Sequence, residues 1–165
     1  MHALSSLQEI AVIDSGLSGT IPTEIGYLTR LNHLMIWSSK LSGRLPESIS
    51  SLRKLKTFVL FNNELTGTIP ANLTKISGLD TLILSSMQLT GVVPEFDASI
   101  TQNIEYLSLD DNLLEGVIPM SIYNLTSLVE IILGGNSDLT GTISTTIGWL
   151  ESLERAEFQS CGLSG

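Results

Sequence analysis

Residues 55–70 read LKTFVLFNNELTGTIP, and residues 104–119 read IEYLSLDDNLLEGVIP. Laid over each other they share one frame, LxxLxLxxNxLxGxIP, with Leu55, Phe58, Leu60, Asn63, Leu65 and Gly67 matching Ile104, Leu107, Leu109, Asn112, Leu114 and Gly116. The central LxL alternates with period two, the signature of a short strand with one buried face. Proline has no N–H to give to a ladder, so each strand must have ended and the chain turned before Pro70 and Pro119. One unit is therefore a single coil with a strand on one side.

The frame extends through the whole chain. Its last leucines are Leu17, Leu41, Leu65, Leu89, Leu114, Leu139 and Leu163, and its glycines are separated by 24, 24, 24, 25, 25 and 24 residues from Gly19 to Gly165. A unit of this size has too few apolar residues to form a core alone, so successive coils must stack and share one. Strands stacked at about 4.8 Å make a parallel sheet, and the bulkier return segments force that sheet to the concave side. The two longer intervals each place one extra residue, in EFDASITQN between Pro94 and Ile104 and in the Ser137–Asp138 pair before Leu139. Insertions in repeats map to loops, so both are expected to be tolerated bulges.

Composition agrees with a stacked core and limits the function. Of 165 residues, 42% are hydrophobic but only 5% aromatic, which implies many equivalent aliphatic core positions. No run approaches the roughly 20 apolar residues needed to cross a bilayer, so no membrane span is expected within the chain. The net charge of -9 argues against nucleic acid, whose phosphates are bound by Lys and Arg. The charge is uneven: residues 1–83 carry seven basic and six acidic side chains, residues 84–165 one and eleven. The second half favours a basic partner. Cys161 is the single cysteine, so no internal disulfide forms and the redox compartment cannot be read from it.

With these motifs in view, the chain resembles the plant-specific type of leucine-rich repeat found in receptor-like kinase and receptor-like protein ectodomains and in polygalacturonase-inhibiting proteins. Similar arrays occur in algae, including diatoms. The resemblance implies an α/β fold: a right-handed leucine-rich repeat horseshoe with a parallel sheet on its concave face and short extended or 3-10 segments on the convex side. It also implies recognition of a protein, peptide or carbohydrate, and an extracellular or cell-surface location. Residues 1–165 then form one domain of about seven repeats, expected to be a fragment of a longer array lacking the cysteine-paired caps of the family. No His-Arg-Asp or Asp-Phe-Gly motif follows, so no kinase activity is assigned and no enzyme is expected.

The Asn position of the frame reads Ser15, Ser39, Asn63, Met87, Asn112, Asn136 and Cys161. An amide there offers donors and an acceptor to backbone groups buried at the turn after each strand. Serine does part of this, cysteine little, and Met87 should interrupt the ladder at a cost of about 1 kcal/mol. A packed free thiol is the expected state of Cys161.

Side chains flanking the buried leucines point outward. One outward column reads Ala11, Met35, Val59, Ile83, Ser108, Ile132 and Glu157, and the next Ile13, Trp37, Phe61, Ser85, Asp110, Gly134 and Gln159. Met35, Trp37, Val59, Phe61 and Ile83 are expected to form an apolar binding patch on the concave face. Tyr106, Asp110, Asp111 and Glu130 give the same face an acidic end. The Asp110–Asp111 pair has poor geometry for acid–base catalysis, since adjacent strand residues diverge. No metal-binding spacing is present and no cofactor is implied. Two glycosylation sequons, at Asn72 and Asn124, fall in the return segments, away from the sheet.

These observations point to a protein- or peptide-binding module of a receptor-like cell-surface protein. The alternatives are an intracellular scaffold and a structural or ice-binding solenoid. The last needs a regular threonine array, and Thr20, Thr68 and Thr142 are not continued in the coils between them.

Overall fold

The computed structural model describes residues 6–164; Gly165, the last glycine of the frame, lies outside them. The chain winds through coils that contribute to two parallel sheets of seven strands each. The inner sheet is built from Glu9–Ile13, His33–Trp37, Thr57–Val59, Thr81–Ile83, Tyr106–Ser108, Glu130–Ile132 and Arg155–Glu157. The outer sheet is built from Ser18–Thr20, Lys40–Arg44, Glu64–Thr68, Gln88–Val92, Leu113–Val117, Asp138–Gly141 and Gly162–Leu163. Each strand pairs with its equivalent in the coils before and after it, so spatial order equals sequence order within each sheet.

The period-two reading of the inner strands holds at each of the five central coils. Leu34 and Ile36, Phe58 and Leu60, Leu82 and Leu84, Leu107 and Leu109, and Ile131 and Leu133 are all buried, and they stack into one core. The outer strands add Leu41, Leu65, Leu89, Leu114 and Leu139 to that core. The glycine of the LxG element has a steric reason. From Gly43 to Gly141 its φ lies between 78° and 95°, a region open to glycine. A Cβ there would also meet the preceding coil's side chain, as at Gly67, where it would lie 3.0 Å from the Arg44 stem.

After the outer strand the chain returns through 3-10 segments at Thr23–Tyr27, Glu47–Ser51, Ala71–Lys75, Met120–Asn124 and Thr145–Trp149. The helical part of the expected α/β alternation is thus made of 3-10 turns, with no α-helix among the described residues. Four of them start after a proline, whose fixed φ suits the entry. In the fifth, Ser144 replaces proline and its side chain accepts the Thr146 N–H instead, as a capping serine does.

The coil with the EFDASITQN insertion lacks a 3-10 segment. Its return is organised by Asp97, whose carbonyl accepts the Ile100 and Thr101 N–H groups and whose side chain accepts from Ser99. Those Ser99 bonds hold the Asp97 carboxyl below its ordinary pKa. Phe96, buried, fills the core there, and Thr74 of the previous coil ties down the loop by donating to the Glu95 carbonyl at 2.7 Å. The other extra residue sits at a turn through Ser137, after which Leu139 donates to the Asn136 carbonyl.

Candidate ligand-binding face

Three columns of side chains run across the inner sheet, at right angles to its strands. The first is Glu9, His33, Thr57, Thr81, Tyr106, Glu130 and Arg155, and the middle one runs from Ala11 through Met35, Val59, Ile83, Ser108 and Ile132 to Glu157. The third, Ile13, Trp37, Phe61, Ser85, Asp110, Gly134 and Gln159, lies where the strands end. Each of its carbonyls except that of Ile13 accepts an N–H from the preceding coil, for example Ser38 to Phe61 and Ser86 to Asp110. The two columns expected from the sequence are therefore the columns found.

Met35, Trp37, Val59 and Ile83 are half-buried against their neighbours, and Phe61 is 41% exposed. They form a continuous apolar stretch over three coils. Tyr106, 40% exposed, continues the surface in the first column. Beyond it the character changes. Glu130 and Glu157 both pair with Arg155, at 2.9 and 2.7 Å. The Glu157 contact and then the Glu130 contact raise the guanidinium above its usual pKa, and Arg155 followed by Gln159 lowers Glu157.

Asp110 and Asp111 behave differently from each other. Asp110 stays in the third column and accepts the hydroxyl of Ser85 at 2.6 Å and that of Ser108, both serines being buried. Asp111 turns away from the third column: its φ is 51°, and its carboxylate lies against Gly135, leaving no room there for a Cβ. The chain turns between the two residues, so Asp110 stays in the third column and Asp111 stands beside it, next to its equivalent in the following coil. The same left-handed turn occurs at Asp14, Ser38, Asn62, Ser86, Gly135 and Ser160. The signal was present in the sequence, since every one of these is a small turn-forming residue just before the Asn position of the frame.

The ladder residues themselves are buried behind this turn. The Asn112 amide donates to the carbonyls of Leu84, Leu109 and Asp110 and its oxygen accepts the Leu89 N–H. Asn63 and Asn136 repeat the arrangement, accepting from Leu41 and Leu114. At the ends it degrades: Ser15 and Ser39 contact each other at 3.3 Å, and the half-buried Cys161 thiol, free of any disulfide, reaches only the Leu133 carbonyl. Met87, 7% exposed, offers no amide to the corresponding groups, the Leu65 N–H and the Leu60 carbonyl.

Asn72 and Asn124 are exposed on 3-10 segments of the return side, whereas Thr74 of the first sequon is fully buried and bonded to two carbonyls. A groove of about 560 Å³ lies on the outer sheet, between Val92, Val117, Pro94 and Pro119. It contains no aromatic residue, whereas Trp37, Phe61 and Tyr106 gather on the inner face, and large aromatics are the usual anchors of recognition. Among the described residues no cluster of His, Cys, Asp and Glu could hold a metal, and no helix is long and apolar enough to cross a membrane.

Stacked coils, two parallel sheets and a buried amide ladder together define a leucine-rich repeat solenoid. The Leucine Rich Repeat family model matches residues 54–76 and 103–125. The ectodomain of the receptor kinase SOBIR1 from Arabidopsis thaliana is 32% identical and covers 77% of this chain, which spans 68% of it, at a TM-score of 0.69. The plant peptide hormone receptor RGFR1, solved in complex with RGF2, is 33% identical over 98% of the chain at 0.92. The Arabidopsis receptor kinase HAESA, solved with the peptide hormone IDA and the co-receptor SERK1, is 30% identical over 96% at 0.91. The chain spans only 26% of each of these last two. No curated protein matches by sequence. The chain belongs to the leucine-rich repeat family, with repeats of the plant receptor ectodomain type, and its inner sheet is the concave face of that fold.

Proposed function

We propose that the chain is a non-enzymatic recognition module of a receptor-like protein at the cell surface, and that it binds a peptide, or an extended segment of a protein, on its inner sheet. The observation that carries this is the apolar stretch formed by Met35, Trp37, Val59, Phe61 and Ile83 across adjacent coils. A folded solenoid has no structural use for a tryptophan and an exposed phenylalanine side by side on a sheet whose opposite face already supplies the core. Such patches mark interaction surfaces. The excess of acidic groups in residues 84–165 supports a partner with basic character. Further support comes from the peptide complexes of two receptors similar to it, RGFR1 with RGF2 and HAESA with IDA. Glycans on Asn72 and Asn124 would leave the inner sheet free and fit an extracellular location.

The test is selection of linear peptides from a displayed random library, followed by calorimetric titration of the best binders. Trp37→Ser or Phe61→Ser should weaken binding by about 30-fold, the effect of losing a central anchor of about 2 kcal/mol. Val92→Ser on the outer groove should leave affinity unchanged. The reverse pattern moves the site to the outer sheet, and binding to a glycan array with no peptide selected replaces the peptide by a carbohydrate.

A further inference from the structure

We propose that Asp110 determines the specificity of the inner face, and that the bound peptide presents a basic side chain three residues from an apolar one, in a polyproline-type conformation. This rests on the reading of the inner sheet as a peptide site and goes further by naming the chemistry of the peptide.

The first observation is how Asp110 is held. Its Oδ1 accepts hydroxyls from two strands, Ser85 in the coil before and Ser108 in its own, and those serines are 3% and 6% exposed. Buried hydroxyls cannot follow a mobile partner, so they fix the carboxylate in one orientation. Its Oδ2 has no partner among the described residues, and Asp110 forms no ion pair. The other inner-face carboxylates of the C-terminal coils are taken, since Arg155 holds both Glu130 and Glu157. Asp110 is thus the oriented, unneutralised charge of that half of the face.

The second observation is independent of the first: the apolar wall ends next to it. Phe61, Ser85 and Asp110 are consecutive in the third column, with the small Ser85 buried between them beneath the carboxylate it bonds. Two coil spacings of about 4.8 Å separate the backbone positions of Phe61 and Asp110, roughly 9.6 Å. A polyproline-type chain advances about 3.1 Å per residue with three residues per turn, so side chains i and i+3 project the same way about 9.3 Å apart. A β-extended ligand would instead turn residue i+3 to the opposite side. The column spacing therefore suits an apolar side chain at Phe61 and Trp37 and a Lys or Arg at Asp110, where the charge-assisted bond to the free oxygen forms.

The experiment uses the whole chain with labelled peptides containing Phe-Pro-Pro-Arg, Phe-Pro-Pro-Glu or Ser-Pro-Pro-Arg, titrated by fluorescence anisotropy at low and at physiological salt. The arginine peptide should bind about tenfold or more tightly than the glutamate peptide, as one charge-assisted contact implies. Asp110→Asn, nearly isosteric and still able to accept from Ser85 and Ser108, should reduce that ratio to within about twofold while keeping the melting temperature. Asp138→Asn, an exposed carboxylate on the outer sheet, should retain the ratio. A ratio unchanged in Asp110→Asn, or no preference for arginine in the native chain, overturns this inference and leaves the peptide site standing. If library selection yields binders but none of these three peptides binds, the proposed spacing is wrong. Failure of the peptide site itself shows differently: Trp37→Ser then has no effect on any binder.

Discussion

The two halves of the inner sheet have the same backbone and the same buried side but different outward faces. Between His33 and Ile83 the hidden positions are Leu34, Ile36, Phe58, Leu60 and Leu82, and the outward ones are Met35, Trp37, Val59, Phe61 and Ile83 beside the polar first column of His33, Thr57 and Thr81. Between Tyr106 and Glu157 the hidden positions are Leu107, Leu109, Ile131 and Leu133, and the outward ones are Tyr106, Ser108, Asp110, Glu130, Arg155 and Glu157, with Ile132 the one large aliphatic among them. Stacking constrains only the side that faces the core, because there every coil must fill the same space as its neighbours. Outward columns are free to differ, so the information that distinguishes this solenoid from another is held in them and not in the repeat.

The sharpest way to break that comparison is to remove equivalent hidden residues from each half. Leu60→Ala and Leu109→Ala both empty a fully buried site in the shared core, and each should cost about 2–5 kcal/mol in urea unfolding. In a stacked array each coil is stabilised through its neighbours, so the two losses should be similar although the surfaces above them are not. A large loss at one site and almost none at the other would mean that the halves fold as separate units.

A smaller effect lies at the turn. Asn136→Ala removes an amide that serves the Leu109, Leu133 and Leu114 backbone groups, and leaves them buried without it, a loss of about 1–3 kcal/mol. The N-terminal side of the comparison has the opposite defect, since Met87 already leaves the Leu65 N–H and Leu60 carbonyl without an amide. Met87→Asn should restore those bonds at the expense of some apolar burial. We expect a net gain of about 1 kcal/mol, or roughly 2–4 °C in melting temperature for a chain of this size. An unchanged or lower melting point means that the methionine packs better than the amide bonds.

Much of this was legible in the residues. The frame from Leu17 to Leu163 gives the number of coils, the sheet, the buried leucines and both outward columns, because a period of 24 or 25 residues forces each position to repeat its environment. The insertion near Asp97 could be located, but not its consequence, the missing 3-10 segment, since that depends on Phe96 taking over a core place from a different position in the loop. Side-chain pairing was also out of reach. Arg155 bonding Glu130 of the coil before and Glu157 of its own, and Ser85 and Ser108 holding Asp110 in the same manner, depend on rotamers that no spacing rule specifies.

The smallest expected effect concerns pH and separates the halves by charge alone. Glu157 has its pKa lowered in the folded chain, first by the Arg155 hydrogen bond and then by Gln159, from an ordinary value of 4.5. A carboxylate of this kind adds stability above its unfolded pKa and loses it as pH falls through the folded one, so its contribution should fade below pH 4.5. Arg155 is raised above an already high value and stays charged throughout, adding no pH dependence in that range. The pair is exposed, hence screened by salt and small. Glu157→Gln should therefore melt slightly below the native chain at pH 6 in low salt, and this gap should close as the pH is taken well below 4.5 or as salt is added. Thr81→Gln, at an uncharged position of the N-terminal columns, should show a difference from the native chain that is the same at both pH values. A Glu157→Gln gap that persists unchanged at low pH would place its origin in packing against Gln159 and Ile132, not in charge.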